Sequence, residues 1–167
     1  MPDRQTLERA RRDKRQGKAP STQAGEFIRE EMEHIREGKH GARSSKQAIA
    51  IGLSKARRAG IDLKPPRRGA ASQKTRRSAT RDYQRGRSDR SGKKSVARSR
   101  ATLGALKREG HEAASHEALS AQATSASRRR SSAQRSASAR RAVRTKGPGA
   151  RTAAARKAAH SRALHAH

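Results

Sequence analysis

The sequence contains no cysteine and no tryptophan, and it has only one phenylalanine, Phe27, and one tyrosine, Tyr83. Without cysteine, disulfides and thiolate metal sites are excluded. Modules that stack bases on a sheet need several aromatic rings, so that class of nucleic-acid reader is excluded too. No apolar run approaches the roughly 18 residues of a membrane-spanning helix. We therefore expect a cytoplasmic protein without membrane contact.

Large apolar side chains are also scarce. Leu, Ile, Val and Phe together number 15 of the 167 residues. Below roughly 20% of these residues, a chain of high net charge is typically disordered, because it cannot bury enough surface to offset its conformational entropy. The sequence therefore excludes a large core.

What the chain has instead is positive charge, a formal net of +29. Residues 1–64 contain 16 Lys and Arg against 9 acids, whereas residues 65–167 contain 27 against 5. A segment so unbalanced repels itself unless a polyanion neutralises it. This asymmetry indicates a nucleic-acid partner, either DNA or RNA.

The apolar residues cluster near the front of the chain. Phe27, Ile28, Met32 and Ile35 share one face of a helix that Gly38 would end. The stretch SSKQAIAIGLSKARRAG (44–60) predicts a second helix, with Ser44 and Gln47 as a capping box and Ile49 and Leu53 on its apolar side. The first helix is acidic and the second basic, which favours their pairing. The predicted core of this hairpin is Phe27, Ile28, Met32, Ile35, Ile49 and Leu53.

The predicted fold class is all-α, with a small helical hairpin followed by a long, largely disordered basic tail that contains transient helices. The hairpin should also serve as a docking or self-association unit. The expected divisions are a charged, helical N-terminal segment (1–20), the αα-hairpin (21–64), a basic linker (65–92), a weakly helical Ala-rich segment (93–126) and a disordered Arg/Ser/Ala-rich tail (127–167).

No motif indicates an enzyme, a cofactor or a metal site. HEAASHE (111–117) resembles the zinc-protease pattern H-E-x-x-H, but its histidines are five residues apart and so about 140° apart around a helix. No serine, histidine and acid can be assembled into a triad around a water-excluding pocket. We therefore expect no catalytic activity and no bound metal.

Electrostatics leaves a set of candidate phosphate contacts. Each cation can displace a condensed counterion from a phosphate backbone, and such contacts position a protein without reading sequence. The candidates are Lys46, Arg57, Arg58, Arg67, Arg68, Arg76, Arg77, Lys93, Lys94, Arg128, Arg129, Arg130, Arg140, Arg141, Arg156 and Lys157.

Residues 20–64 resemble a family of small basic bacterial proteins of uncharacterised function. The hallmark is Lys46–Gly60, which reads KQAIAIGLSKARRAG and follows a helix that ends in REGKHGARS. The resemblance covers about a quarter of the chain and implies no activity. The tail separately resembles the Ala/Lys/Arg/Ser arms of linker-histone-like bacterial proteins, although arginine and serine largely replace the usual lysine repeats.

These observations favour a histone-like or nucleoid-associated protein whose tail binds nucleic acid without sequence preference. The alternative is a protein-interaction adaptor, or an RNA- or ribosome-associated protein, whose hairpin binds a protein partner.

Overall fold

The computed structural model describes residues 2–88 and 95–164, except for the side chains of residues 145 and 146. Within these residues the chain is helical and contains no strand. None of the described helices combines the length and the apolar character that crossing a bilayer requires. The helices are α1 (Arg4–Arg15), α2 (Pro20–Arg36), α3 (Ser45–Arg58), α4 (Gln73–Arg87), α5 (Val96–Lys107), a 3₁₀ turn (Glu112–Ala114), α6 (His116–Arg128) and α7 (Ser132–Leu164).

The chain divides into two compact units, Met1–Gln122 and Ala123–His167. In the first unit α2 and α3 pack against each other as the predicted hairpin. One apolar cluster joins Met32 and Ile35, late in α2, to Ala48, early in α3. A second cluster joins Phe27, early in α2, to Ala56, late in α3. The two helices therefore run antiparallel.

The ends of the hairpin helices follow local chemistry. Pro20 occupies the first turn of α2, where its missing N–H costs nothing. The Ser44 Oγ accepts a hydrogen bond from the Gln47 N–H at 3.3 Å, as expected for an N-cap. The Gln47 Oε1 accepts from the Arg43 N–H at 3.0 Å, one residue earlier than an ideal capping box would place it.

The six residues predicted as the hairpin core all lie in these two clusters. Three are buried and three lie partly buried at the edges of the clusters. Most of the other buried apolar residues are alanines, so the core is thin and the backbones approach closely. Buried are Phe27, Met32 and Ile35; partly buried are Ile28, Ile49 and Leu53.

The closest approach of the hairpin helices is at Gly52. A Cβ atom there would lie 2.7 Å from the Cα of Ile28 and 3.0 Å from its backbone nitrogen. Real Cβ atoms do not approach a backbone so closely, and interiors are too densely packed to yield cheaply. Glycine at this position therefore sets the distance between α2 and α3.

The hairpin is flanked by α1 on the side of α2 and by α4 on the side of α3. The Arg9 Nε of α1 donates to the Glu26 Oε2 of α2 at 2.7 Å. In α4, Ala79 is buried, and the Ser54 hydroxyl of α3 donates to the Asp82 Oδ2 at 2.5 Å. Polar contacts and one alanine thus hold α4 in place.

The chain after α4 returns to the hairpin. The end of α5 and the 3₁₀ turn bond to the loop before α3, and Ala113 and Ala114 are buried in the cluster that contains Ile35. Residues 106–115 therefore belong to the packed unit and are not transient helix. The bonds are Gly41 N to Leu106 O (2.9 Å), Ala42 N to Gly110 O (3.0 Å) and Ser45 Oγ to Ala113 O (2.7 Å).

The expectation of a largely disordered tail is wrong, because the described part of residues 127–167 is almost entirely helical. Apolar residues are indeed few, but alanine has the highest intrinsic helix propensity and arginine and lysine follow closely. The pattern that excluded a core did not exclude helix. Within α7 the regular geometry is interrupted at Gly147, which has a φ of 68°, immediately before Pro148.

The close approach at Gly52 generates a paired prediction. Gly52→Ala should lower the free energy of unfolding by about 1–3 kcal/mol, because the added methyl meets backbone, and this exceeds the helix-propensity gain of about 1 kcal/mol. Gly25→Ala, in α2, has nothing within 4 Å of the added Cβ and should stabilise by up to about 1 kcal/mol. Urea denaturation followed by circular dichroism measures both, and equal effects would contradict the tight crossing.

Candidate nucleic-acid interface

The predicted phosphate contacts fall into three groups. Two of them, Lys93 and Lys94, lie outside the described residues. Two others are not freely exposed: Arg57 is buried and Arg76 is half-buried. The rest are exposed: Lys46, Arg58, Arg67, Arg68, Arg77, Arg128, Arg129, Arg130, Arg140, Arg141, Arg156 and Lys157.

Arg57 has a structural role and its side chain is buried. It is 8% exposed, and its Nε donates to the carbonyl oxygen of Leu63 at 3.1 Å. Burial lowers the pKa of Arg57, and the nearby charge of Asp82 opposes that shift. The guanidinium thus fastens the segment after α3 onto the helix, and it is not part of the surface proposed below.

The most regular basic surface is on α4. Lys74, Arg77, Arg81 and Arg85 follow the spacing i, i+3, i+7 and i+11, which places them within about 80° of the helix circumference. All four are exposed. The α4 stripe, as we call these four residues, lies on the side of α4 away from Ala79, which packs toward the hairpin.

The acids near α4 are engaged elsewhere. Asp82 accepts from Ser54 and lies 3.7 Å from Arg58. Asp62 pairs with Arg87 at 3.5 Å. Among the described residues no acid forms an ion pair with a member of the α4 stripe. The stripe therefore presents its positive charge to solvent.

Tyr83, the single tyrosine, is committed to the same local network. Its hydroxyl donates to the Asp62 carboxylate, and this bond is the main cause that raises the pKa of Tyr83. The guanidinium of Arg87 lies 5.4 Å from the centre of its ring. One face of the ring thus already carries a cation, so base stacking is not favoured at this position.

The second unit presents its charge differently. Residues 123–167 contain twelve Lys and Arg and no acid. On α7, Arg140 and Arg144 are exposed and lie about 40° from each other around the helix axis, whereas Arg135 lies about 140° from Arg140. The unit thus places two of these arginines on one face of α7, whereas α4 presents a row of four cations.

Sequence reasoning missed Lys74, Arg81 and Arg85. The signal was present as a cationic spacing of three and four residues, which is the periodicity of one helix face. The sequence indicates a linker over residues 65–92, and in a linker this spacing does not place the cations on a common face. The helix itself gives these cations a common direction.

A family model matches part of the chain. Residues 20–68, which include α2 and α3, match a family described as a family of unknown function (DUF6496). No curated protein and no solved structure matches the chain. The matched segment is thus the hairpin and the residues just after it.

Proposed function

We propose that this chain is a non-enzymatic protein that binds double-stranded nucleic acid without sequence preference and associates with the bacterial nucleoid. The observation that carries the proposal is the α4 stripe, in which four exposed cations share the outer face of a docked helix. The acid-free second unit adds cations of its own. Both features match the electrostatic footprint of phosphate binding.

The stripe suits a phosphate backbone in length as well as in charge. From Lys74 to Arg85 is eleven residues, or about 16 Å along the helix axis. Duplex DNA carries one charge per about 1.7 Å of axis, so several phosphates fall within that span. Each contact releases condensed counterions, and this release supplies affinity that does not depend on base sequence.

A sequence-reading role for α3 receives little support. A recognition helix needs a solvent-facing row of side chains that can enter the major groove. In α3 only Lys46, Ala50 and Arg58 are exposed, since α2 and α4 cover much of the helix. Lys46 and Arg58 are also about 120° apart around the axis. The exposed cations thus favour backbone contact over base readout.

The first test is salt dependence. If about 8 cations engage phosphates, a plot of log K against log salt on duplex DNA should have a slope of about −7. Fluorescence anisotropy with the full chain and labelled duplexes of unrelated sequence, between about 50 and 200 mM salt, measures it. Equal affinity for the different sequences is expected. Binding that ignores salt, or no binding, would refute the proposal, and duplex RNA serves as a parallel arm.

The second test isolates the α4 stripe. The triple variant Lys74→Gln, Arg77→Gln and Arg81→Gln removes three exposed cations without touching the packed face of α4. The slope should become less steep by about 2.7, since each lost phosphate contact is worth about 0.9. The measurement is the same anisotropy titration across salt.

A matched control removes equal charge from another exposed helix. Arg11→Gln, Arg12→Gln and Arg15→Gln change three exposed arginines of α1, and none of these forms an ion pair with an acid among the described residues. The control should leave the slope within about one unit of the unaltered chain. If both triple variants make the slope less steep by the same amount, the stripe is not a preferred contact and net charge alone governs binding.

A further inference from the structure

A group of ionisable side chains is buried where α1, α2 and α3 meet. Glu30 and Glu31 of α2 are 2% and 0% exposed, and Lys55 of α3 contacts both. His34, one turn after Glu30 and Glu31, and His40, in the following loop, lie beside them. Buried charges are costly unless they are compensated, so each charged side chain of this group requires a partner of opposite charge.

Lys55 compensates only part of the charge. Its Nζ lies 3.0 Å from Glu30 Oε1 and 2.7 Å from Glu31 Oε2. Burial acts to lower the pKa of Lys55, but its contacts with Glu31 and Glu30 outweigh this and raise it. Burial likewise acts to raise the pKa of Glu30, but Lys55, the Asp3 N–H and Thr6 together lower it. One ammonium thus contacts two carboxyl groups.

The other side of Glu31 faces a histidine. The His40 Nδ1 lies 3.1 Å from the carbonyl oxygen of Gly41, and a carbonyl can only accept, so the ring proton is on Nδ1. In the neutral ring the Nε2 lone pair then faces Glu31 Oε1 at 3.2 Å. Two lone pairs at this distance repel each other unless a cation, either a proton or a metal ion, lies between them.

The Glu31 carboxylate has no well-aligned donor of its own. Neither oxygen has a hydrogen-bond partner among the described residues, although the side chain is only 1% exposed. The Lys55 ammonium lies 2.7 Å from Oε2 as an ion pair, which leaves Oε1 facing only the His40 ring. A fully buried acceptor in this condition calls for a further partner.

His34 completes a three-residue geometry. One donor atom each from Glu31, His34 and His40 lie within 4.8 Å of one another. The rings of His34 and His40 are 6.0 Å apart and nearly perpendicular, at 82°. The His34 Nε2 is 3.3 Å from Asp3 Oδ2, so a carboxylate stands beside this ring as the Gly41 carbonyl does beside the other.

We propose that Glu31, His34 and His40 form a Zn²⁺ site. Two imidazole nitrogens and one carboxylate oxygen are ligands that zinc prefers, and three protein ligands leave one position for water. Ligand atoms about 2.0–2.1 Å from a tetrahedral zinc are about 3.3 Å apart, which is close to the 3.2 Å between His40 Nε2 and Glu31 Oε1.

The surroundings fit a divalent cation. Ligating histidines usually present their other nitrogen to a carboxylate or a carbonyl. The Gly41 carbonyl meets this for His40, and Asp3 would meet it for His34 if that ring ligates through Nδ1. By formal charge, the acids Asp3, Glu30 and Glu31 against Lys55 give this group a net of −2, which one Zn²⁺ balances. The ion would tie α2 to the loop that leads into α3.

Zinc uptake by the full chain tests the proposal. The protein is freed of nucleic acid at high salt, treated with a chelator and titrated with ZnCl₂ against a chromophoric competitor. The starting variant is His165→Ala with His167→Ala, which removes the C-terminal histidines as a source of loose binding. It should bind one equivalent of zinc, and its melting temperature should rise on binding.

Adding His34→Gln or His40→Gln to that background should weaken zinc binding more than about 100-fold, beyond the loss typical of a partner that only orients a ligand. His116→Gln in the same background is the matched control and should change little. Should His40→Gln fail to fold by circular dichroism, the half-buried His34 decides alone. No bound zinc, or zinc held equally well without His34, would overturn the site and leave a proton as the bridging cation.

Discussion

The contact of Lys55 with Glu30 and Glu31 is the constraint on which the hairpin depends. Two carboxylates of α2 are removed from water, and a buried charge left without its partner typically costs about 3–5 kcal/mol. Lys55 must therefore meet them, and only one register of α3 against α2 permits this. The N-terminus of α1 is drawn into the same group, because the Asp3 N–H donates to Glu30 Oε2 at 3.1 Å.

That constraint also explains how a chain with so few large apolar residues forms a packed unit. The hydrophobic clusters are thin and largely made of alanine, so they offer little directional information on their own. The contact of Lys55 with Glu30 and Glu31 determines how α3 aligns with α2. Gly52 allows the two backbones to come close enough for short side chains to touch. Burial and register are thus provided by different residues of the same two helices.

The sequence predicted α2 and α3 well because both carry an apolar face with the helical period. It failed for α4, since that helix docks through Ala79 and a bond between Ser54 and Asp82, and polar contacts leave no periodic apolar signal. It failed for the tail for another reason. The scarcity of large apolar residues predicts no stable helices, although alanine and arginine favour helix formation even where no core is formed.

Some residues of the candidate sites could be predicted from the sequence, and others could not. Exposed cations of the second unit could be listed from composition, but Arg57 has the same local pattern as Arg58 and is nevertheless buried. No one-dimensional pattern reports that its guanidinium reaches the Leu63 carbonyl. His34 and His40 are separated by a turn, and only the fold brings them to Glu31. The spacing Glu-x-x-His at positions 31 and 34 was the single available hint.

The return of the chain to the hairpin has a consequence for biosynthesis. The Ser45 hydroxyl can donate its hydrogen bond to the Ala113 carbonyl only after 68 further residues have been synthesised. At about 5–20 residues per second, translation leaves the nascent hairpin without this cover for about 3–14 s. During that interval Ala113 and Ala114 do not yet cover the end of the hairpin near Ile35. The packed unit therefore extends beyond the matched segment of residues 20–68.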